Sequence, residues 1–199
     1  MVAASPKVPP TLPIEQRILV NGVRWKDYVI LREALDTPGL RMTYLKGSLE
    51  IMSPSLAHER NKTAIARLVE LYAFLRRLPL NGYGSTTFRR EAKERGAEPD
   101  ECYCVRGRQL DEGAFPDIVL EVIETSPLLD KLEVYRGFDV PEVWLFRDGG
   151  FELYRLDGDH YVSITRSALL PEIDFATIAE LTAWPDQQEA LYELQRRLG

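Results

Sequence analysis

The strongest buried-strand pattern in the chain is the apolar run over residues 118–123, which one carboxylate, Glu121, interrupts. A strand in the middle of a sheet can bury both faces, and it then reads as a nearly continuous apolar run. An ionised carboxylate in such a strand is costly unless it is paired, hydrogen-bonded or bound to a metal. Ser126 and Pro127 follow, and these residue types favour the N-cap and the first position of a helix. The pattern therefore predicts a central strand and a following helix that bring Glu121 close to Lys131.

The remaining apolar pattern alternates between helical spacing and short runs bounded by turn residues. Helices are predicted over residues 25–35, from Ser55 to about residue 78, over about 128–138, around 176–181 and after Pro185. Strands are predicted over 17–20, 41–45 with 48–52 as a hairpin, a Gly-broken segment at 80–88, 102–105, 118–123, 142–146, 151–156 and 160–165. Residues 89–97 read as an exposed, charged connection. This order predicts a single α/β domain over residues 14–199 with a mixed sheet, preceded by a flexible Pro-rich tail at residues 1–13.

Length and composition narrow the class of protein. A chain of 199 residues with 45% hydrophobic and 28% charged residues can form one ordered domain with a full core. No apolar run approaches the ~20 residues needed to span a bilayer, and the N-terminus lacks the apolar centre of a secretory signal. The two cysteines, Cys102 and Cys104, support neither a disulfide framework nor a zinc site. We therefore expect a cytoplasmic protein that does not bind membranes.

The charge is unevenly distributed along the chain. The net charge is −6, with +5 in residues 1–100 and −11 in residues 101–199. The basic excess is concentrated between Arg76 and Arg95. This asymmetry is compatible with a polyanionic partner, although an ordinary solvated surface explains it equally well.

Three residues carry the candidate chemistry: Asp100, Glu121 and Lys131. Two carboxylates at neighbouring strand ends can hold a hard cation such as Mg²⁺, which prefers oxygen ligands. A nearby lysine adds a positive charge for a scissile phosphate or an attacking hydroxide. Each residue also has a structural interpretation, namely a turn or cap for Asp100, a buried salt bridge for Glu121 and an exposed helix position for Lys131. Their joint arrangement favours a metal-dependent hydrolytic site.

Several spaced motifs resemble a known family. The motifs are Asp100-Glu-Cys-Tyr, Phe-Pro-Asp117-Ile-Val-Leu-Glu121-Val, Asp130-Lys131-Leu-Glu-Val-Tyr135, Asp139-Val-Pro-Glu-Val-Trp144 and, upstream, Gly47-Ser-Leu-Glu-Ile-Met-Ser-Pro54 with His58-Glu59. Together they resemble the Uma2 family of restriction-type endonucleases (formerly DUF820), which belongs to the PD-(D/E)XK nuclease superfamily. The resemblance covers roughly residues 24–183.

The resemblance implies a restriction-endonuclease-like three-layer core, with helices flanking a mixed β-sheet, and cleavage of DNA phosphodiester bonds that depends on Mg²⁺ or Mn²⁺. By resemblance, Asp100 and Glu121 are the two motif acids, and the backbone carbonyl of Val122 helps to hold the metal. The chain departs from the literal motif because Ile123, not lysine, stands two positions after Glu121. Lys131, from the helix, would take that lysine's role.

Other residues in the motifs have weaker assignments. Glu59, or its neighbour His58, could supply the helix-borne acid found in some nucleases of this superfamily, whereas a capping or packing role explains His58 equally well. Asp117 also follows a proline, but four residues along a strand separate it from Glu121 by ~13 Å, too far to share one metal. We therefore assign Asp117 a structural role. The aromatic residues Trp25, Tyr44, Tyr135 and Trp144 are predicted to lie in the core.

Three functions remain open at the level of sequence. The first is an Mg²⁺-dependent DNA endonuclease, supported by the presence of Asp100, Glu121 and Lys131 together. The second is a catalytically inactive nuclease fold that binds DNA or another partner, favoured by the acidic balance. A small-molecule hydrolase is the third. A homodimer would suit a nuclease that cuts both strands.

Overall fold

In the part of the chain that the structure describes, the strands form two sheets, and five α-helices pack against them. The structure is a computed structural model that describes residues 15–37 and 39–199, so the predicted tail at residues 1–13 lies outside the described residues. The strands are β1 (Gln16–Asn21), β2 (Arg41–Leu45), β3 (Ser48–Ser53), β4 (Leu80–Gly82), β5 (Phe88–Arg90), β6 (Arg95–Ala97), β7 (Glu101–Val105), β8 (Ile118–Ile123), β9 (Glu142–Arg147), β10 (Gly150–Asp157) and β11 (His160–Ile164). The helices are α1 (Trp25–Ala34), α2 (Leu56–Leu75), α3 (Lys131–Arg136), α4 (Phe175–Thr182) and α5 (Gln187–Leu198).

The larger sheet is mixed and contains β8 near its centre. Its strand order is β11-β10-β9-β8-β7-β4, and β8 and β9 run parallel while the other neighbours run antiparallel. All six residues of β8 are buried, as the apolar run predicts. The parallel pair is joined through α3, the usual crossover for parallel neighbours.

The smaller sheet is antiparallel throughout. Its order is β1-β3-β2-β6-β5, with the β2–β3 hairpin closed by Lys46 and Gly47 as predicted. Helix α1 covers one face of this sheet, where Tyr28 stacks on Tyr44 with ring centroids 4.8 Å apart. The opposite face turns toward α3.

The two faces of β8 belong to different cores because successive side chains of a strand point to opposite sides. Ile118, Leu120 and Val122 pack with α2, α4 and α5. Val119 and Ile123 pack with α3 and with β5 and β6 of the smaller sheet. Glu121 shares this second face, so its carboxylate lies between the mixed sheet and α3.

The predicted mixed α/β architecture with flanking helices is confirmed, but the strands divide between two sheets rather than forming one. Residues 89–97 are also not the exposed connection that their charge predicts. They form β5, a short 3₁₀ turn and β6, and Arg95 is only 3% exposed. Arg95 is buried because it donates to the backbone oxygen of Glu133, 3.1 Å away, and pairs with its carboxylate.

Two helix boundaries differ from the prediction. Helix α2 ends at Leu75 rather than near residue 78, and Arg77 then takes a left-handed conformation. Helix α3 begins at Lys131 and is capped by Asp130, which accepts from the N–H of Glu133, so Ser126 and Pro127 do not open it. The N–H groups of residues 128 and 129 donate to the carboxylate of Glu50 instead, which satisfies them outside a helix.

Candidate active site

Glu121 and Lys131 face each other in the space between the mixed sheet and α3. Lys131 Nζ lies 3.0 Å from Glu121 Oε1 and 3.1 Å from the hydroxyl of Thr43 on β2. The same Glu121 oxygen accepts a short hydrogen bond from the hydroxyl of Tyr135, one turn further along α3. Glu121 is 2% exposed and Lys131 6% exposed, so the pair is buried. Oε2 of Glu121 takes part in none of these hydrogen bonds.

Asp100 stands directly before β7, beside the part of β8 that carries Glu121, since Glu101 pairs with Leu120. Its Oδ2 accepts from the backbone N–H of Val122 at 2.8 Å. Its Oδ1 lies 2.8 Å from Nε2 of His58, in the first turn of α2. The side chain of Asp100 is 1% exposed. Both of its oxygens are thus fixed from two different elements.

His58 links Asp100 to the beginning of the described chain. Its Nδ1 lies 2.9 Å from Oε2 of Glu15, the residue before β1. Its position follows from the local sequence, because the hydroxyl of Ser55 caps α2 by accepting from the N–H of His58 at 3.1 Å. The imidazole therefore lies between two buried carboxylates.

A fourth buried acid, Glu50 of β3, holds the segment that leads into α3. One of its oxygens accepts from the N–H groups of Leu128 and Leu129, and the other pairs with Arg17 at 2.5 Å. Arg17 also donates to the hydroxyl of Thr125 at 3.0 Å. Glu50 is 1% exposed.

The pKa values of these groups reflect competition between burial and charge. Burial disfavours the charged form of His58, but hydrogen bonds with Asp100 and Glu15 outweigh it and raise its pKa to about 10. Burial acts to raise the pKa of Asp100, yet the hydrogen bond and the charge of His58 prevail and the pKa is lowered. For Glu121 burial prevails over the attraction of Lys131, and its pKa is raised.

The buried acidic groups around the site outnumber the buried basic groups by one. These residues form one buried charged cluster of four carboxylates and three basic groups. The carboxylates are those of Glu15, Glu50, Asp100 and Glu121, and the basic groups are those of Arg17, His58 and Lys131. With all of them ionised, one negative charge remains uncompensated. Among residues 15–37 and 39–199 no group of three or more His, Cys, Asp or Glu side chains is arranged to hold a metal. The carboxylates of Asp100, just before β7, and Glu121, on β8, are oxygen donors of the type that a hard cation prefers.

Lys131 also borders a pocket of about 350 Å³ at the carboxyl end of β8 and β9. Ile123, Asp130, Arg147 and Glu152 line it, together with the 126–129 segment. Ligands of open α/β sheets commonly bind outside the carboxyl ends of the strands. Within the Glu121–Lys131 pair, Lys131 is the residue that lines this pocket.

The other residues singled out from the sequence lie in different places. Glu59 does not join His58: its carboxylate is partly exposed, 3.1 Å from Lys62 and 3.7 Å from Arg41. Asp117 accepts from the N–H of Val105 at 2.9 Å and pairs with Arg108 at 2.9 Å, which is a structural role. Tyr44, Tyr135 and Trp144 are buried as predicted, whereas Trp25 is partly buried and packs against the core of the smaller sheet. Tyr135 also contacts Glu121.

Sequence reasoning missed Glu15, Arg17 and Glu50. Glu50 had a usable signal, because it stands in a predicted strand on the same side as Met52, a position typical of a buried residue. Glu15 and Arg17 had none, since they flank a predicted tail and a short strand whose other residues are largely exposed.

The chain is similar to proteins that are described as nucleases. A family model, Uma2, described as "Putative restriction endonuclease", matches residues 25–186. The chain belongs to the Uma2 family. No curated protein matches the chain.

One similar solved structure is a "putative nuclease belonging to DUF820" from Anabaena variabilis. It is 14% identical, the alignment covers 82% of this chain and 98% of that chain, and the TM-score is 0.44. In the described part of this chain, no helix has the length and apolar character needed to cross a membrane.

Proposed function

We propose that the protein is a metal-dependent endonuclease that hydrolyses phosphodiester bonds of DNA. The observation that carries the proposal is the buried contact between Lys131 and Glu121, 3.0 Å apart, beside Asp100 on the neighbouring strand. Membership of the Uma2 family supports the same reaction class. Lys131 reaches Glu121 from α3. A lysine can therefore lie beside the acid although Ile123, two positions after Glu121, is not a lysine.

In this proposal Asp100, Glu121 and the backbone carbonyl of Val122 hold Mg²⁺ or Mn²⁺. When bound, such an ion polarises a phosphoryl oxygen and makes a water molecule more acidic. Lys131 places its positive charge beside Glu121, where it stabilises negative charge that develops on the phosphate. Tyr135 and Thr43 orient the two members of the pair through their hydroxyl groups. His58 fixes Asp100 rather than contacting the substrate, and Glu59 has no assigned step.

A catalytically inactive, partner-binding nuclease fold remains the second candidate, because one observation favours it. Asp100, Glu121 and Lys131 are 1%, 2% and 6% exposed, so a phosphate must enter through the pocket beside Lys131. A chain that only binds DNA would not require that access.

The two candidates differ in a cleavage assay. Plasmid and single-stranded DNA are incubated with the protein and Mg²⁺ or Mn²⁺, alongside Asp100→Asn and Glu121→Gln. Asp117→Asn is the matched control, since it removes the charge of a carboxylate that is bonded to Arg108 and not to the cluster. We expect cleavage by the wild type and the control and none by the other two. Equal cleavage by all four proteins, or none by any, contradicts the proposal.

Cleavage of both strands of duplex DNA would favour a homodimer. Analytical ultracentrifugation with and without a short duplex tests this part of the proposal. A monomer in both conditions would contradict it.

A further inference from the structure

The N-terminal strand reaches into the candidate active site, although it precedes residue 25, where the family match begins. Strand β1 lies at the edge of the smaller sheet, next to β3. The side chains of Glu15 and Arg17 are 1% and 6% exposed. In contrast, Ile18 on the opposite face of the strand is 61% exposed. This segment therefore buries charged groups and exposes an apolar one, the reverse of the pattern that hydrophobic packing favours.

These two side chains hold the connection between Glu121 and Lys131. The connection runs from Glu124 to Asp130 between β8 and α3. At its beginning, the hydroxyl of Thr125 accepts from Nε of Arg17 at 3.0 Å and donates to Glu15 in a short hydrogen bond. At its far end, the N–H groups of residues 128 and 129 donate to Glu50, which pairs with the same guanidinium.

One guanidinium thus binds three acceptors that approach it from different segments: Glu15, Glu50 and Thr125. Its planar set of five donors suits this task, whereas an ammonium group is a single point charge on a flexible stem. Glu15 extends the same network in the other direction, through His58 to Asp100. Both sides of the candidate site are linked to β1.

Lys131 needs support from other segments because it is far from Glu121 in sequence. A lysine two positions after the acid would be placed by the strand itself. Lys131 is ten residues after Glu121, and residues 124–130, which join β8 to α3, form no regular element. Catalytic groups must be held within about 0.5 Å of a productive position, and supporting hydrogen bonds provide that precision.

We propose that Arg17, together with Glu15 and Glu50, is a positioning residue that fixes the 124–130 connection and thereby the place of Lys131. The inference rests on the proposed function for its catalytic consequence. None of the three residues contacts the substrate; Arg17 and Glu50 act through the connection, and Glu15 acts through Thr125 and His58. The N-terminal strand is then part of the catalytic apparatus rather than a sheet extension.

The test combines a structural readout with a kinetic one. Arg17→Met removes the guanidinium and keeps the stem, and Thr125→Val is a milder, nearly isosteric change that leaves every charge in place. Arg17→Lys tests partial rescue. Ile18→Ala, on the same strand but outside the network, is the matched control. Amide hydrogen exchange is followed at Leu128, Leu129 and, as an internal reference in β8, Leu120.

We expect exchange at Leu128 and Leu129 to accelerate about tenfold in Arg17→Met, with Leu120 unchanged, because only the connection loosens. We expect kcat to fall about 10- to 100-fold while KM for DNA stays within about twofold, since misplacement by about 1 Å can cost that much. Thr125→Val should show the same local pattern more weakly, Arg17→Lys should recover part of kcat, and Ile18→Ala should match the wild type.

Three results decide the matter. Unchanged exchange at Leu128 and Leu129 in both Arg17→Met and Thr125→Val would overturn the inference. Faster exchange throughout, including Leu120, with unchanged kcat per folded molecule would also overturn it, because the role of Arg17 would then be purely structural. A local change in exchange in a protein whose wild type cleaves no DNA would support the positioning of the connection and refute the proposed function instead.

Discussion

Replacing Lys131 with methionine keeps most of the apolar stem of the side chain and removes the ammonium group that faces Glu121. In the wild type that ammonium lies 3.0 Å from the carboxylate and 3.1 Å from Thr43. In Lys131→Met the carboxylate stays buried, with the hydroxyl of Tyr135 as its remaining neutral donor among the described contacts. The variant therefore creates an uncompensated charge in the core.

The expected cost can be estimated from the burial of the pair. Removing one partner of a buried ion pair destabilises a protein by about 3–5 kcal/mol, because the other charge loses its compensation. Both members are nearly inaccessible, with 2% and 6% exposure, so screening by solvent reduces this figure little. We expect Lys131→Met to lower the free energy of unfolding by about 3 kcal/mol at pH 8.

The cost should depend on pH, and its sign follows from Glu121. Burial already raises the pKa of Glu121 above its ordinary value of 4.5, and losing Lys131 raises it further. A carboxyl whose pKa is higher in the folded state favours folding below pH 4.5, and this contribution is lost as the pH rises through the folded pKa. The destabilisation by Lys131→Met should therefore be small near pH 4.5 and full at pH 8.

Urea unfolding at pH 5 and pH 8 measures this difference for the wild type, Lys131→Met, Glu121→Gln and the double variant. The double variant should be much less destabilised than the sum of the single variants, because it removes both charges. A cost that is equal at both pH values, or a strictly additive double variant, would refute the reasoning.

Two further predictions concern acids outside the cluster. Glu142 is fully buried and accepts hydrogen bonds from Trp144 at 3.0 Å, from Ser167 at 2.7 Å and from the N–H groups of residues 168 and 169. Glu142→Leu leaves these donors without their acceptor, so it should lower the free energy of unfolding by about 3 kcal/mol or more. Urea denaturation checks this, and unfolding within about 1 kcal/mol of the wild type would contradict it. Burial raises the pKa of Glu101 from 4.5 to about 7, so its contribution to stability is complete below pH 4.5 and is lost as the pH rises through 7. Stability measured from pH 4.5 to pH 8 should decline less in Glu101→Gln than in the wild type; parallel curves would exclude this role.

Local sequence pattern predicted the strand and the helix that carry Glu121 and Lys131. The apolar run around Glu121 defined β8, and the proximity of Lys131 in sequence predicted that strand and helix would bring the two together. The rise per residue of a strand, which separates Asp117 from Glu121 by ~13 Å, also excluded Asp117 from sharing one metal with Glu121. These predictions succeed because burial on a strand and the return of a following helix depend on residues within about one βα unit.

The start of α3 was predicted at the wrong residue, and Arg95 was predicted to be exposed. Both predictions failed because the partners of these groups are distant in sequence. The N–H groups before α3 are satisfied by Glu50, which is almost 80 residues away in sequence. Arg95 is buried against Glu133, 38 residues further along the chain. A charged residue reads as exposed in sequence when its partner is distant, because no periodicity records that partner.

The order of apolar and polar residues was enough to predict the α/β class, the central strand with its unusual carboxylate and the pairing of that carboxylate with a lysine on the next helix. The contact between Arg17 and Thr125, 108 residues apart, became visible only in the folded chain. Hydrophobic periodicity reports which face of an element is buried but not which element covers it. That choice depends on the order of strands in the smaller sheet, where β1 lies beside β3 and brings Arg17 to Glu50.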